Sequence, residues 1–332
     1  MITDIVPRRR ERHIVDPDTE RKLIALGLDS FRQSDLSRYR ECPYSYYYGK
    51  VLADADDKQV YGTLHTLLGS IFHLAIYFDS EAETEGSNPE WYMHLANMVR
   101  QQNPKQVWMH KGEVRSMSTL RSICKLMVEK LDIGMLAVKC MSALQIRKLD
   151  IVHQEVSMSY KSGSLTFTGT ADMVVRNQHG EYGILDVKTS GLWDPIIRDE
   201  SVKGKNLSAR DVAYHTQLAH YKWLLYKVMK IDAKFQGILL PANGVPLTRK
   251  SGNKQAGQDR GKILVTAPCE QQDYEKYLVS WLRSIASNNF YKSFPDNFGT
   301  SKCFGCSVFA QCRGADATLN NVEPIELGEE VF

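Results

Sequence analysis

The hydrophobic periodicity of the chain changes near residue 150, and this change constrains the fold more than any other feature. From Gly62 to about Arg147, apolar residues recur at helical spacing, with breaks at segments that contain Pro89 and Pro104. From Ile151 onwards, apolar and polar residues alternate, which is the period of a β-strand. The sequence therefore predicts an almost wholly helical section followed by a region built around a sheet.

The region after the change contains several predicted strands and one long helix. The predicted elements are strands over about Val152–Tyr160, Leu165–Arg176 and Tyr182–Thr189, a turn at Asn177–Gly180, a helix over about Ala209–Met229 and a strand over Phe235–Leu240. Strands that are mixed with helices in this way are typical of an α/β core.

Composition is that of an ordinary globular protein. The chain has 332 residues, a formal net charge of +3, 43% hydrophobic residues and 24% charged residues. At roughly 150 residues per domain, this length allows about two domains or one large domain with an insertion. Its apolar stretches are far shorter than the roughly 20 residues that span a bilayer. No apolar segment follows the N-terminal arginines, as it would in a secretory signal. We expect a protein that works in a reducing cytoplasm without a membrane partner.

A net charge near neutrality does not predict a nucleic-acid-binding protein, so any such prediction depends on local patches. The segment Thr248–Lys262 has the composition of a mobile basic loop, and Arg8–Arg12 is a second basic cluster. Candidate phosphate contacts in the loop are Arg249, Lys250, Lys254, Arg260 and Lys262. A solvated loop without a ligand is an equal alternative. Trp91, Tyr92 and Trp108 could stack on bases, but core packing is the simpler interpretation.

Seven cysteines are present, an odd number that fits poorly with a closed set of disulfides. Cys303, Cys306 and Cys312 fall within ten residues. This spacing is typical of ligands to zinc or to an iron–sulfur cluster. A fourth ligand is missing locally.

The remaining cysteines differ in their surroundings. Cys124 and Cys140 lie in apolar helical patterns, which predicts small core residues. Cys42 follows a helix that we expect to begin at an N-cap at Ser34, and Pro43 ends that helix. Cys42 could therefore present a thiolate at the end of the helix.

Two strands of the predicted sheet carry acidic residues that would lie near each other. Asp186 and Lys188 share a face by the period of two, and pairing across the predicted turn would bring Asp172 near Asp186. Adjacent carboxylates repel unless a cation such as Mg²⁺ or Mn²⁺ lies between them. A lysine beside such a cation can assist an attacking water or neutralise charge on a phosphoryl group. A solvated salt bridge between Asp186 and Lys188 is the alternative.

Three other residues carry weaker signals. His73 lies among apolar residues at helical spacing, where a histidine is more often a hydrogen-bonded core residue than a third metal ligand. Gln217 and Tyr221 lie one turn apart on one face of the long helix, as many ordinary helix residues do.

Six motifs follow one another along the chain. They are Ser34-x-Leu36-x-x-Tyr39-x-x-Cys42-Pro43, Gly69-x-x-x-His73, Gly169-x-x-Asp172, Asp186-Val-Lys188-Thr189, Gln217-x-x-x-Tyr221 and Cys303-x-x-Cys306-x5-Cys312. In this order they resemble the RecB-type nucleases of the P-D-(D/E)-x-K superfamily, and in particular their iron–sulfur branch. That branch includes CRISPR adaptation nucleases, the AddB nuclease domain and a related eukaryotic single-strand exonuclease. The resemblance extends from about Ser34 to Arg313.

The resemblance implies roles for the candidate residues. The direct ligands of Mg²⁺ or Mn²⁺ would be His73, Asp172, Asp186 and the backbone carbonyl of Val187. Lys188 would assist the attacking water, and Gln217 and Tyr221 would position the phosphate or the lysine. Glu155, on the preceding strand, is a further candidate outside the direct ligands, and a purely structural role for it is an equal alternative.

The resemblance also implies a structural [4Fe–4S] cluster, with Cys42 as the missing partner of Cys303, Cys306 and Cys312. The fold would be a restriction-endonuclease-like α/β core, a mixed central sheet flanked by helices, with a helical insertion and an iron–sulfur lobe. The expected divisions are an N-terminal segment over 1–63, a helical region over 64–149, a nuclease core over 150–290 and an iron–sulfur segment over 291–332.

These expectations combine into one function. The chain would be a metal-dependent DNA nuclease, an exonuclease on single-stranded ends that hydrolyses phosphodiesters with a metal-activated water during DNA recombination, repair or processing. Because the chain has no phosphate-binding motif of an ATPase, it would be either a stand-alone nuclease or a subunit of a larger assembly with a helicase or recombination protein as partner. The alternatives are a non-catalytic nucleic-acid-binding partner of such a complex, a zinc site in place of the cluster, and an RNA substrate.

Overall fold

The computed structural model describes residues 13–52, 60–78, 88–102, 106–110, 113–114, 133–188, 209–240, 262–266 and 270–288. The helices are α1 (Pro17–Ala25), α2 (Gln33–Glu41), α3 (Pro43–Tyr47), α4 (Leu64–Tyr77), α5 (Pro89–Gln102), α6 (Ile133–Ile146), α7 (Ala209–Met229) and α8 (Gln271–Ser287), and a short π-helix spans Tyr48–Leu52. The strands are β1 (Ser30–Arg32), β2 (Val60–Thr63), β3 (Gln106–His110), β4 (Glu113–Val114), β5 (Asp150–Ser162), β6 (Leu165–Arg176), β7 (Tyr182–Val187), β8 (Phe235–Leu240) and β9 (Lys262–Thr266). Among these helices, none has the length and apolarity needed to span a membrane.

Strand β6 organises a mixed six-stranded sheet. Strand β5 pairs antiparallel with β6 along its whole length and occupies one of its edges. The other edge has two partners, because β1 pairs in parallel with residues 166–168 and β7 pairs antiparallel with residues 173–176. Strand β8 then pairs in parallel with β7, and β9 pairs antiparallel with β8. This mixed α/β architecture agrees with the predicted fold class.

Two tight turns set the register of this sheet. Gly163, with φ +60°, stands in the two-residue connection between β5 and β6, and Gly180, with φ +78°, stands in the turn between β6 and β7. Both φ values lie in the left-handed region that glycine adopts without strain. The predicted turn at Asn177–Gly180 is confirmed, and its Asn177 side chain accepts the N–H groups of His179 and Glu181.

One face of the sheet is covered by the N-terminal helices, α7 and α8. Trp223 of α7 is fully buried and makes an edge-on contact with Phe167 of β6. Tyr44, Tyr46 and Tyr47 of α3 are also buried. Residues from all of these elements form one apolar cluster, so the N-terminal segment and the sheet share a core.

A buried histidine connects three elements on this face. The Nε2–H of His220 on α7 donates to the Thr168 carbonyl of β6, at 3.1 Å, and its Nδ1 accepts the Tyr274 hydroxyl of α8, at 2.7 Å. Burial lowers the pKa of His220 to about 4, so the ring is neutral at pH 7 and can serve as donor and acceptor at once.

The opposite face of the sheet packs against α4, α5 and α6. Ile71, Tyr92 and Leu144 contribute to this second cluster together with residues of β6 and β7. Trp91 and Tyr92 are both buried there, so their interpretation as core residues is confirmed. Trp108 lies in β3, in a part of the chain whose side chains lie outside the described residues.

The structure corrects two expectations about the first half of the chain. The section from Gly62 to Arg147 is not almost wholly helical, because β2, β3 and β4 form a three-stranded sheet. Its strands have five residues or fewer, too short for a visible alternation. Ser34 is not an N-cap either. Helix α2 begins at Gln33, and the Asp35 carboxylate accepts the Arg32 N–H at 2.8 Å.

The core on the α7 face makes a large contribution to stability. Leu225 is fully buried, whereas Val228 on the same helix is 42% exposed. We expect Leu225→Ala to lower the free energy of unfolding by about 2–5 kcal/mol, since it leaves a cavity. Val228→Ala should change it by less than about 0.5 kcal/mol. Urea unfolding followed by circular dichroism measures both, and similar losses in the two variants would contradict this packing.

Candidate active site

The candidate site lies where β6 changes its partner from β1 to β7. Between residues 168 and 173 this edge of β6 has no paired strand among the described residues. Helix α7 approaches the strand closely here, since a Cβ atom at Gly169 would lie 3.0 Å from side-chain carbons of Tyr221 and Leu224. Glycine at this position therefore lets polar side chains of α7 reach the gap.

The carboxylate of Asp172 occupies the gap. Its Oδ2 accepts the N–H of Val187 at 2.6 Å, so a side chain continues the hydrogen bonding where the β6–β7 ladder ends. Burial raises the pKa of Asp172 to about 6, and the charge of Asp186 adds to this, while His73 and Lys188 lower it. This carboxyl is therefore poorly stabilised as an anion unless a further positive charge arrives.

Asp186 lies on β7 and is fully buried among donors. Its Oδ2 is 2.7 Å from the Lys188 ammonium, and its Oδ1 accepts Nε2 of Gln217 at 3.1 Å. Burial by itself lowers the pKa of Lys188, but the charge of Asp186 outweighs this and raises the pKa. Gln217 also donates to the Tyr221 hydroxyl at 2.9 Å. Burial raises the pKa of Tyr221 to about 12, so this hydroxyl keeps its proton.

His73 of α4 faces the gap from the other side of the sheet. Its Nε2–H donates to the Val187 carbonyl at 3.1 Å. Its Nδ1 lies 3.5 Å from Glu155 Oε1 and 3.8 Å from Asp172 Oδ1. Burial lowers the pKa of His73, but the hydrogen bond to Glu155 and the charges of both acids outweigh burial and raise it.

Three of these residues form a candidate metal cluster. Ligand atoms of His73, Glu155 and Asp172 all lie within 4.8 Å of one another. One imidazole and two carboxylates suit Mg²⁺, Mn²⁺ and similar divalent ions. The donor set therefore fits the metal that the sequence motifs imply.

The structure brings together the residues that the motifs singled out. They are His73, Asp172, Asp186, Val187, Lys188, Gln217 and Tyr221, with Glu155 beside them. Asp186 contacts Lys188 and Gln217 and is not part of the metal cluster, whereas Glu155 is. The ligand set of His73, Asp172, Asp186 and Val187 stays a prediction.

Sequence reasoning did not place Glu155 in this cluster, although a signal for its position existed. The two-residue turn at Gly163–Ser164 fixes the pairing of β5 with β6. Counting back from that turn places Glu155 between the paired positions Gln154 and Val156, opposite Asp172. Alternation alone could not show this proximity, because it gives the face of a residue and not its partner on the next strand.

Several residues that the sequence analysis singled out lie outside the described part of the chain. These are Cys303, Cys306, Cys312, Arg249, Lys250, Lys254 and Arg260, together with Cys124 and the cluster at Arg8–Arg12. Lys262 is the first residue of β9 and so does not belong to a loop. Cys140 is fully buried, which confirms it as a core residue.

We predict that Asp172→Asn stabilises the metal-free protein at neutral pH. Because the pKa of Asp172 rises from 3.8 to about 6, folding favours its protonated form. That contribution is complete below the unfolded value and is lost as the pH rises through the folded value. The amide stays neutral and can still accept the Val187 N–H.

We therefore expect Asp172→Asn to raise the free energy of unfolding at about pH 8 by on the order of 1–3 kcal/mol. The gain should shrink towards about pH 5, where the wild-type carboxyl is protonated. Urea unfolding in the presence of a chelator measures both differences. A variant less stable than the wild type at both pH values would contradict the prediction.

Comparison with known proteins gives a family and a set of structural neighbours. The model of the PD-(D/E)XK nuclease superfamily matches residues 30–313. The crystal structure of a protein from Eubacterium rectale, named as a proposed exonuclease, has 14% sequence identity and a TM-score of 0.43, with 95% of this chain and 96% of that chain covered. The crystal structure of SSO0001 has 14% identity and a TM-score of 0.33, with 90% of this chain and 95% of that chain covered.

No curated protein matches the sequence. The superfamily match, however, covers most of the chain and includes every residue that converges on the gap in the sheet. The protein therefore belongs to the PD-(D/E)XK nuclease superfamily.

Proposed function

We propose that the protein is a metal-dependent deoxyribonuclease, an exonuclease that acts on single-stranded DNA ends. The observation that carries the nuclease proposal is the gap beside β6. A lysine, a histidine and three carboxylates converge there from α4, β5, β6 and the end of β7. The single-strand preference and the exonuclease action rest on the resemblance of the motifs to RecB-type nucleases.

The cation would be held by the acidic side of the gap. His73 and Asp172 belong both to the ligand set that the motifs imply and to the cluster in the structure. The third side chain is Asp186 in the first set and Glu155 in the second. A bound Mg²⁺ or Mn²⁺ supplies Lewis-acid activation of the scissile phosphate and lowers the pKa of a water. The residues of the chain then have to orient the phosphate and stabilise its negative charge.

Lys188 is suited to the second of these tasks. Its ammonium is 2.7 Å from Asp186, which raises the pKa of the lysine and keeps it protonated at pH 7. A protonated lysine cannot accept the proton of a water. Lys188 therefore acts as a fixed positive charge that stabilises the phosphoryl oxygens as negative charge grows on them.

Gln217 and Tyr221 position the other groups. Gln217 donates to both Asp186 and the Tyr221 hydroxyl, so it fixes the acid that orients Lys188. The Tyr221 hydroxyl accepts this bond and keeps its own proton, because its pKa is about 12. That proton is available to a phosphate oxygen of the substrate.

The structural [4Fe–4S] cluster is part of the proposal. Cys42 suits a ligand role, since it stands between α2 and α3 and its Sγ accepts the Ser45 N–H at 3.3 Å. Such N–H···S bonds stabilise a thiolate. Cys303, Cys306 and Cys312 would complete the cluster and join the two ends of the chain.

The proposed role is in DNA recombination, repair or processing, with a helicase or recombination protein as partner and the cytoplasm as location. In this role the basic residues between Arg249 and Lys262 would contact backbone phosphates outside the gap. Such contacts strengthen binding to DNA of any base sequence, and they weaken as the salt concentration increases.

Nuclease assays with two variants test the main proposal. We expect Asp186→Ala and Lys188→Ala each to lower the cleavage rate of end-labelled single-stranded DNA by at least about 100-fold, because each removes part of the charge arrangement around the phosphate. Glu181→Gln removes one carboxylate from the exposed end of the β6–β7 turn and should leave the rate unchanged.

The assays need Mg²⁺ or Mn²⁺ and anaerobically purified protein, with double-stranded DNA compared in parallel. The position of the label gives the direction of degradation. If wild type and variants all bind DNA and leave it intact, the protein is a binding module and the enzymatic proposal is wrong.

Absorbance spectroscopy tests the cluster. We expect anaerobically purified protein to be brown, with a band near about 400 nm that a zinc site cannot give, because Zn²⁺ is d¹⁰. Cys42→Ser should lose most of this band and unfold at a lower temperature, since ligand binding contributes to folding. Cys140→Ala is the matched control for the absorbance band, because Cys140 is a buried core residue and not one of the proposed ligands. This variant should keep the band. Colourless protein that contains zinc would contradict the cluster.

A further inference from the structure

We propose that Glu155 is a direct ligand of the divalent cation, which His73, Glu155 and Asp172 hold together while Asp186 stays paired with Lys188. This inference rests on the proposed function and identifies a ligand that the motifs do not contain. It assigns different tasks to the two aspartates: Asp172 binds the cation, and Asp186 holds Lys188.

The spacing of the three side chains supports a shared ion. His73 Nδ1 is 3.5 Å from Glu155 Oε1 and 3.8 Å from Asp172 Oδ1. Neighbouring ligands in an octahedral shell with bonds of 2.0–2.1 Å lie roughly 3 Å apart. Small side-chain movements would therefore bring all three into contact with one ion.

The tautomer of His73 supports the same arrangement. A carbonyl can only accept, so the contact of Nε2 with the Val187 oxygen at 3.1 Å places the proton on Nε2. In the neutral ring the Nδ1 lone pair then faces Glu155 and Asp172. A backbone carbonyl that orients a histidine through its other nitrogen is a common feature of metal sites.

The carboxylate oxygens distinguish Glu155 from Asp186. Both oxygens of Asp186 accept hydrogen bonds, one from Lys188 and one from Gln217. Asp172 uses Oδ2 for the Val187 N–H and turns Oδ1 towards His73. An ion bound through Asp186 would have to share these oxygens with the Lys188 ammonium and the Gln217 amide, whereas an ion bound through Glu155 would lie beside the His73 imidazole.

The position of Glu155 is also suitable for a ligand. A small cavity of about 10 Å³ lies between Glu155, Asp172 and His73, which is space for about one water molecule or ion. The Glu155 side chain is 43% exposed, so an ion can reach it from solvent. Its backbone has a φ of +48°, a conformation that is uncommon for a non-glycine residue.

Direct metal titration tests the role of Glu155 without relying on activity. The free Mn²⁺ that remains in solution is measured by electron paramagnetic resonance while Mn²⁺ is added to the full-length protein. We expect Glu155→Gln to weaken Mn²⁺ binding by more than about 100-fold, beyond the roughly 10–100-fold loss caused by removing a group that only orients a ligand, and Glu181→Gln to leave it unchanged. Asp172→Asn should also weaken binding, whereas Asp186→Asn should have a smaller effect than Glu155→Gln.

Each outcome of this titration has a distinct meaning. Wild-type affinity in Glu155→Gln together with weak binding in Asp172→Asn would overturn the role of Glu155 and leave the nuclease proposal intact. A wild-type protein that binds no Mn²⁺ would overturn both proposals. An effect of Asp186→Asn larger than that of Glu155→Gln would show that Asp186 is the principal third ligand.

A glycine variant separates metal binding from folding. Glycine adopts a φ of +48° without strain, so Glu155→Gly removes the side chain and suits the backbone. We expect its melting temperature without metal to equal or exceed that of the wild type, with the same loss of Mn²⁺ affinity as Glu155→Gln. A lower metal-free melting temperature combined with wild-type Mn²⁺ affinity would assign Glu155 a structural role instead.

Discussion

The site depends on a change of partner along one strand. Because β5 occupies one edge of β6 throughout, β1 and β7 have to share the other edge, and neither pairs with residues 169–172. A buried N–H without a partner is costly, and the Asp172 carboxylate removes this cost by accepting the Val187 N–H. The candidate catalytic acid is therefore also the group that completes the backbone hydrogen bonding of the sheet.

This arrangement explains how helices on opposite faces of a sheet serve one site. Helix α4 packs on the face that contains Leu185, and α7 packs on the face that contains Ile184. A continuous ladder between β6 and β7 would separate their polar side chains. At the gap, Asp172 bonds to the neighbouring strand, so His73 of α4 reaches it from one side while Gln217 of α7 reaches Asp186 from the other.

The sequence predicted the elements between residues 165 and 240 well because they are long and regular, but β9 and α8 beyond them were not predicted. The bounds of β6, α7 and β8 agree with the alternation and helical spacing read from residues 165–240. The short strands β1 to β4 were missed, since two to five residues cannot display a period. The position of His73 beside Asp172 depends on the packing of α4 on the sheet, which no local pattern contains. Only the motif order pointed to it.

The electrostatics of the gap favour a bound cation. Three carboxylates share the gap with one ammonium and one imidazole, and burial raises the pKa of Asp172 to about 6. A pair formed by Asp186 and Lys188 is already neutral, which leaves the charges of Glu155 and Asp172 to be balanced. A divalent ion would balance these charges and would bind the Nδ1 of His73 in place of the proton that the two acids favour there. On the proposal that Glu155 and Asp172 bind a cation, the burial that raises the pKa of Asp172 also strengthens the attraction between its carboxylate and the ion.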